Sequence, residues 1–230
     1  IPMTATSVEQ TRSRTTTQRF PGLDGLRAVG AVFVLTTHVG FQSGHALNGS
    51  FRGVLSRMDS GVAIFFVISG FLLARPFLEG WLGQNRTVSS GTYFRNRVLR
   101  IVPALWMTIL LVALIVPDVG REAVDLLVHA LLLQIYLPGH ELLGLTQMWS
   151  LAVEVAFYAV LPMLAYLLLV VLCRRRFRPA LLLAGLGALA AVSPLWLVVM
   201  HSTDWLPVGA GSWLPHYLAW FVGGMILAVL

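Results

Sequence analysis

Five stretches of this chain contain no Asp, Glu, Lys or Arg: residues 28–51, 101–117, 155–173, 179–203 and 205–230. Each is near or above the roughly 17 residues an α-helix needs to cross the hydrocarbon core of a bilayer. A sixth run, 60–74, is shorter and extends to Leu78 if Arg75 snorkels toward the headgroups. Backbone groups in lipid must bond within their own segment, so apolar runs of this length fold as helices. The expectation is an all-α, polytopic transmembrane bundle with six spans in these 230 residues. Composition agrees: 57% of the side chains are hydrophobic, 11% are charged and the mean hydropathy is +0.79, which excludes an ordinary soluble domain.

The runs are bounded by arginines, since the chain has no lysine and all 16 basic residues are Arg. With the N-terminus cytoplasmic, Arg12, Arg14, Arg19, Arg27, Arg75, Arg86, Arg95, Arg97, Arg100 and the block Arg174, Arg175, Arg176, Arg178 lie inside, and only Arg52, Arg57 and Arg121 outside. That is the asymmetry of the positive-inside rule, and it argues against nucleic acid as the partner of the +6 charge. It requires 118–147 to be one external excursion. The apolar piece at 126–138 is then an interfacial or re-entrant helix, because a crossing there would move the arginine block outside. The polar stretch 1–19 reads as a disordered cytoplasmic tail ahead of a retained first span. Asn85 begins an N-x-T sequon, discounted because it falls on the cytoplasmic side. The last run is still apolar at Leu230, so 20–230 reads as the N-terminal part of one transmembrane domain cut at its C-terminal end. The lone Cys173 permits neither an internal disulfide nor a thiolate metal site, and no metal is expected.

Charged groups inside apolar helices are costly, so those present point to function. Arg27 and His38 are three helical turns apart and share a face, with Asp24 able to hold Arg27 by an i,i+3 pair. Glu154, entered from the outside near Met148, falls at the depth of His38. A carboxylate there would set the tautomer of the imidazole and raise its basicity. Tyr158, one turn on, shares the network. Structural readings compete: a histidine bonded to a neighbouring Thr or backbone, and a packing-only Glu–His hydrogen bond. Trp149 and Trp205 read as interface anchors. On the cytoplasmic side Arg95, Arg97 and Arg100 either satisfy the positive-inside rule alone or, with Arg27, dock a phosphate-rich ligand, for which guanidinium forks are suited. In the run DSGVAIFFVISGFLLARPF, Gly61, Ser69 and Gly70 permit close helix approach or a channel.

Four motifs in order then carry a resemblance: LDGLRAVGAVFVLTTH with an R-x10-H spacing, SGVAIFFVISGFLLARPF, YFRNRVLRIVP with Arg97 and Arg100 at the R-x-x-R positions, and WSLAVEVAFYAVLP. HYLAWFVGGMILA adds a weaker fifth. Together they resemble the acyltransferase 3 family of integral membrane O-acyltransferases. The resemblance implies about ten spans in the full protein and a bacterial inner-membrane location. It implies an acyl-coenzyme A donor, acetyl-CoA or another acyl-CoA, and a carbohydrate or glycolipid acceptor. It makes His38 catalytic and gives the arginines to donor handling. With the residue reading above, the expected site is His38 with Glu154 for catalysis, Arg27, Arg95, Arg97, Arg100 and Ser69 for the donor, and Asp24, Tyr158 and Trp149 for support. Membrane lipid is the remaining partner, and oligomeric state is not specified. The rival from another class is a proton-coupled transporter or flippase in which Arg27, His38 and Glu154 form a relay; a structural or signalling subunit with a degenerate site is a third reading.

Overall fold

The computed structural model describes residues 20–48, 50–83, 89–117, 122–142, 144–174, 176 and 178–230. The tail 1–19, the Asn85 sequon with Arg86, the segment 118–121 with Arg121, and Arg175 lie outside the described residues. The described elements are helical: α1 (Pro21–Gln42), the single turns α2 (His45–Asn48) and α3 (Arg52–Leu55), α4 (Ser60–Trp81), α5 (Ser90–Ile115), α6 (Ala123–Ala130), α7 (Trp149–Ala165), α8 (Pro179–Ala190), α9 (Val192–Ser202) and α10 (Leu214–Val229). Tyr166–Leu172 prolongs α7 as a π-helix.

Among the described residues, five segments are long and apolar enough to span: Arg52–Trp81, Ser90–Ile115, Thr146–Leu172, Pro179–Ser202 and Val208–Val229. Six were expected. The difference is α1, whose 22 residues rise about 33 Å, long enough to cross, but whose Asp24, Arg27 and His38 dilute its hydropathy. The described part of the expected excursion, from 122 onward, also takes a definite form. Helix α6 has 8 residues, rises only about 12 Å and cannot cross; the chain then turns back through Leu132 in a left-handed conformation (φ 57°).

Local sequence explains the helix ends and breaks. Pro21 and Pro179 stand at first-turn positions, where the missing N–H costs nothing, and Pro117 follows the end of α5. Pro162 lies inside α7 and cannot donate to the Tyr158 carbonyl four residues back. The Tyr93 hydroxyl of α5 donates to that carbonyl instead, at 3.2 Å, so a proline on one helix creates the socket for a tyrosine on another. Similarly, the buried Ser193 hydroxyl of α9 donates to Pro215 O at 2.8 Å and accepts from Ala219 N–H at 2.9 Å, bridging a helical i,i+4 pair of α10.

The core is a stack of three rings from three helices. Phe66 of α4, Phe221 of α10 and Phe157 of α7 lie parallel, with centroids 4.4 and 4.1 Å apart; each is at most 2% exposed. Such pairs contribute about 0.5–1.5 kcal/mol beyond their area. Glycines bring the backbones together. A Cβ on Gly70 would collide with the Phe221 carbonyl, and one on Gly224 with the Val67 carbonyl, so α4 and α10 touch backbone to backbone. A Cβ on Gly61 would stand 2.5 Å from the Gly30 carbonyl oxygen, which seats α1 on α4. The outward faces carry Val32, Leu35, Trp106, Met107, Leu110 and Leu114, all more than half exposed, as lipid contact demands.

Candidate active-site cleft

Helices α4, α5 and α7 diverge to leave a cleft of about 410 Å³. Helix α5 lines it from Arg97 through Arg100, Ile101, Ala104 and Leu105 to Thr108, about 16 Å along the axis. Helix α7 contributes Met148, Leu151, Glu154 and Tyr158, and α4 contributes Ser69 among apolar neighbours. Arg27 is the residue from α1. The guanidinium groups of Arg27, Arg97 and Arg100 thus converge on one cavity from two helices.

A hydrogen-bonded chain crosses this space. Tyr158 donates to Glu154 Oε1 at 2.6 Å, and the Ser69 hydroxyl donates to the same oxygen. The Arg97 guanidinium lies 5.5 Å from the Tyr158 ring centre and 5.7 Å from that of Tyr93, in cation–π range of both. Its Nε is buried with no hydrogen-bond partner. An unmade bond from a buried charged group is costly, so this N–H is suited to an incoming anion.

The sequence expectations meet this geometry unevenly. Arg27, Arg97, Arg100, Ser69, Glu154 and Tyr158 line one cleft. Asp24 holds Arg27 at 2.8 Å, as the i,i+3 spacing predicts. Arg95 is exposed and outside the lining, because two residues on a helix turn about 200° and carry it away from Arg97. Trp149 opens α7 with its ring against Tyr217, centroids 5.1 Å apart, and lines a different cavity. The arginine motif also differs in setting: α5 begins at Ser90, so Arg95, Arg97 and Arg100 lie within its first three turns, where they were expected ahead of it.

The expected His38–Glu154 pair does not form. Glu154 is taken by Ser69 and Tyr158, while His38 Nδ1 lies 2.8 Å from the Val34 carbonyl of its own helix. A carbonyl only accepts, so in the neutral ring Nδ1 carries the hydrogen and Nε2 the lone pair. The backbone therefore sets the tautomer that the carboxylate was expected to set. His38 is half-buried and not part of the cleft lining. Two lining residues of α5 went unnoticed in the sequence, Leu105 and Thr108, and so did Tyr93, although its i,i+4 spacing to Arg97 and the proline four residues after Tyr158 were both signals.

A family model described as an acyltransferase domain, Acyl_transf_3, matches residues 20–230. The chain belongs to the acyltransferase 3 family. Membership decides for an enzyme of the transferase class over the transporter reading. Among curated proteins the chain is similar to the peptidoglycan O-acetyltransferase OatA of Listeria monocytogenes, 27% identical over 79% of this chain and 29% of that protein. It is similar also to the O-acetyltransferase OatA of Staphylococcus aureus, 26% identical over 79% of this chain and 30% of that protein. The chain thus spans about three-tenths of the length of the relatives it matches. No solved structure matches it. In acyltransferase 3 terms, the cleft is where four separated motifs of the sequence meet.

Proposed function

We propose that this chain forms the donor-binding part of a multi-pass O-acyltransferase. The enzyme moves an acyl group, acetyl in the simplest case, from cytoplasmic acyl-coenzyme A to a hydroxyl of an extracytoplasmic glycan or glycolipid in the bacterial inner membrane. The observation that carries this reading is the cleft itself: three arginines at one end, an unpaired buried Arg97 Nε, and a polar lining of Ser69, Glu154, Tyr158 and Thr108 along its length. The names of the relatives support acetyl as the acyl group and an envelope glycan as the acceptor.

The phosphates of the donor bind Arg27, Arg97 and Arg100 by charge-assisted hydrogen bonds, and the slender pantetheine arm enters between α4, α5 and α7. Glu154, held by two hydroxyls, accepts a hydrogen bond from an amide N–H of that arm. This keeps the highly charged nucleotide on the arginine side of the bilayer. His38 acts from α1: Nε2 takes the proton of the acceptor hydroxyl as its oxygen attacks the thioester carbonyl carbon, the C–S bond breaks, and the thiolate leaves and takes up a proton. A brief acyl-imidazole is the covalent variant of the same step. The N-terminus is cytoplasmic in this scheme, in keeping with Arg27, Arg75, Arg97, Arg100 and Arg176 on one side and Arg52 and Arg57 on the other.

The test is incubation of purified full-length protein with labelled acetyl-CoA and envelope glycolipid fractions, comparing wild type with His38→Ala. Label should reach glycolipid in the wild type, and His38→Ala should lose at least about a thousandfold of this rate while still binding coenzyme A. Transfer at an undiminished rate by His38→Ala, or no labelled glycan with the wild type, overturns the reading.

A further inference from the structure

A second cavity, of about 310 Å³, lies beyond the N-terminal end of α7, between the loop that follows α6 and the turn at Val208–Ser212. Its floor is made by His129, Gln134 and Leu145, which are 1%, 8% and 0% exposed. Its rim includes Glu141, Thr146 and Val208, all exposed, so the cavity opens outward. The half-buried indole of Trp149 forms one wall.

This cavity is built and braced. Trp213 Nε1–H donates to the Ile135 carbonyl at 2.9 Å, and a Cβ on Gly209 would meet that same oxygen at 3.0 Å, so the 208–212 turn is pressed onto the loop. Asp125 secures the other side: its carboxylate accepts from His140 Nδ1–H at 2.7 Å and its carbonyl from His129 Nδ1–H at 2.9 Å. The second bond leaves the His129 lone pair on Nε2. Within this frame Gln134 is out of place. Both atoms of its side-chain amide, Oε1 and Nε2, are buried and without a hydrogen-bond partner. A buried unpaired amide destabilises the fold unless something completes it.

We infer that this cavity is a sugar-binding subsite, in which Gln134 receives two neighbouring hydroxyls of a hexopyranose, one donating to Oε1 and the other accepting from Nε2. A vicinal diol presents a donor and an acceptor side by side, matching a primary amide, whereas the N–H and C=O of a trans secondary amide point in opposite directions. The Trp149 ring offers a flat surface to the apolar face of a pyranose, and the volume is that of a small-ligand site. A lipid tail would leave the amide as unpaired as before. The inference extends the proposed function, since it gives the acceptor a place on the far side of Met148 from the donor cleft. Met148 lines the cleft and the adjoining Trp149 lines this cavity, so the first turn of α7 separates the two.

The experiment is saturation-transfer NMR on the purified full-length protein with methyl α-glucoside and methyl α-mannoside, alongside calorimetric coenzyme A binding and thermal melting of the same samples. Wild type should transfer saturation to the ring protons of at least one glycoside. Gln134→Leu should weaken that binding at least tenfold, keep coenzyme A affinity, and melt no lower than wild type, because an unpaired buried amide has been removed. A purely structural glutamine would instead lower the melting temperature. No signal with wild type, or a Gln134→Leu variant that binds sugar as before, overturns the inference. Sugar binding that depends on Gln134 in a protein that transfers no acetyl group upholds the subsite and overturns the proposed function instead.

Discussion

Helices α4 and α7 each line two kinds of space, and the contrast between them is instructive. On one side, against α10 and α8, they leave only about 20 Å³ of space, lined by Ala74, Leu161, Ala165, Leu186 and Met225. On the other, against α5, they open a cleft of about 410 Å³. The closed side is zipped by Gly70, Gly224 and the stack of Phe66, Phe221 and Phe157; the open side is kept by Ser69, Glu154, Tyr158 and Arg97. Close packing is the default where side chains are apolar or absent. Space persists here where ionisable and hydroxyl groups hold one another at hydrogen-bond distance, as Glu154 does with Ser69 and Tyr158. The seam is scaffold and, in the proposed function, the cleft is working surface; neighbouring residues of one helix line both.

Substitutions should separate the two sides, beginning with the most severe. Gly70→Leu or Gly224→Leu drives a side chain into the backbone of the opposite helix and should cost more than about 3 kcal/mol, seen as loss of monodisperse protein in detergent. Gly223→Leu, where a Cβ meets nothing within 4 Å, should leave the elution profile intact. If Gly70→Leu elutes as wild type, the seam is not the scaffold.

On the open side, Arg97→Ala should leave folding intact and remove charge-assisted bonds of about 2 kcal/mol, a roughly thirtyfold loss of coenzyme A affinity by calorimetry. Unchanged affinity would detach the cleft from the donor. Tyr158→Phe removes one of the two hydroxyls on Glu154, worth about 1 kcal/mol, and should lower the transfer rate about fivefold. Arg95→Ala, on the outer face of α5, should change donor affinity by less than about twofold. A larger effect there would move the docking surface off the cleft.

Much of the architecture was legible beforehand because it follows from charge-free length: the spans after α3 and the apolar piece too short to cross. Helical period also accounts for Arg97 and Arg100 facing one way and Arg95 another. The partner of Glu154 was not legible. Apolar length does not fix how far one helix slides past another: Phe65 of α4 reaches Gly30 and Phe71 reaches Phe20, so Ser69 stands level with the first turns of α1 near Arg27, well short of His38. Nor does hydropathy show the π-helical turn at Tyr166–Leu172 or the break at Ala191, since both leave the apolar count unchanged. Gln134 was hidden for the opposite reason: one polar residue in an apolar run looks like a tolerated exception until its burial and lack of partners are visible.

The crossing of α4 and α10 joins glycines roughly 150 positions apart in the chain. During synthesis, the groove at Gly70 must therefore enter the bilayer long before the strip at Gly224 exists to fill it, with acyl tails as its provisional occupant. Helix α7 reaches the membrane in that interval, and its Phe157 can complete the ring stack only after Phe221 arrives. The glycine seam and the ring stack that brace α4 and α7 are therefore completed only when α10 has been made.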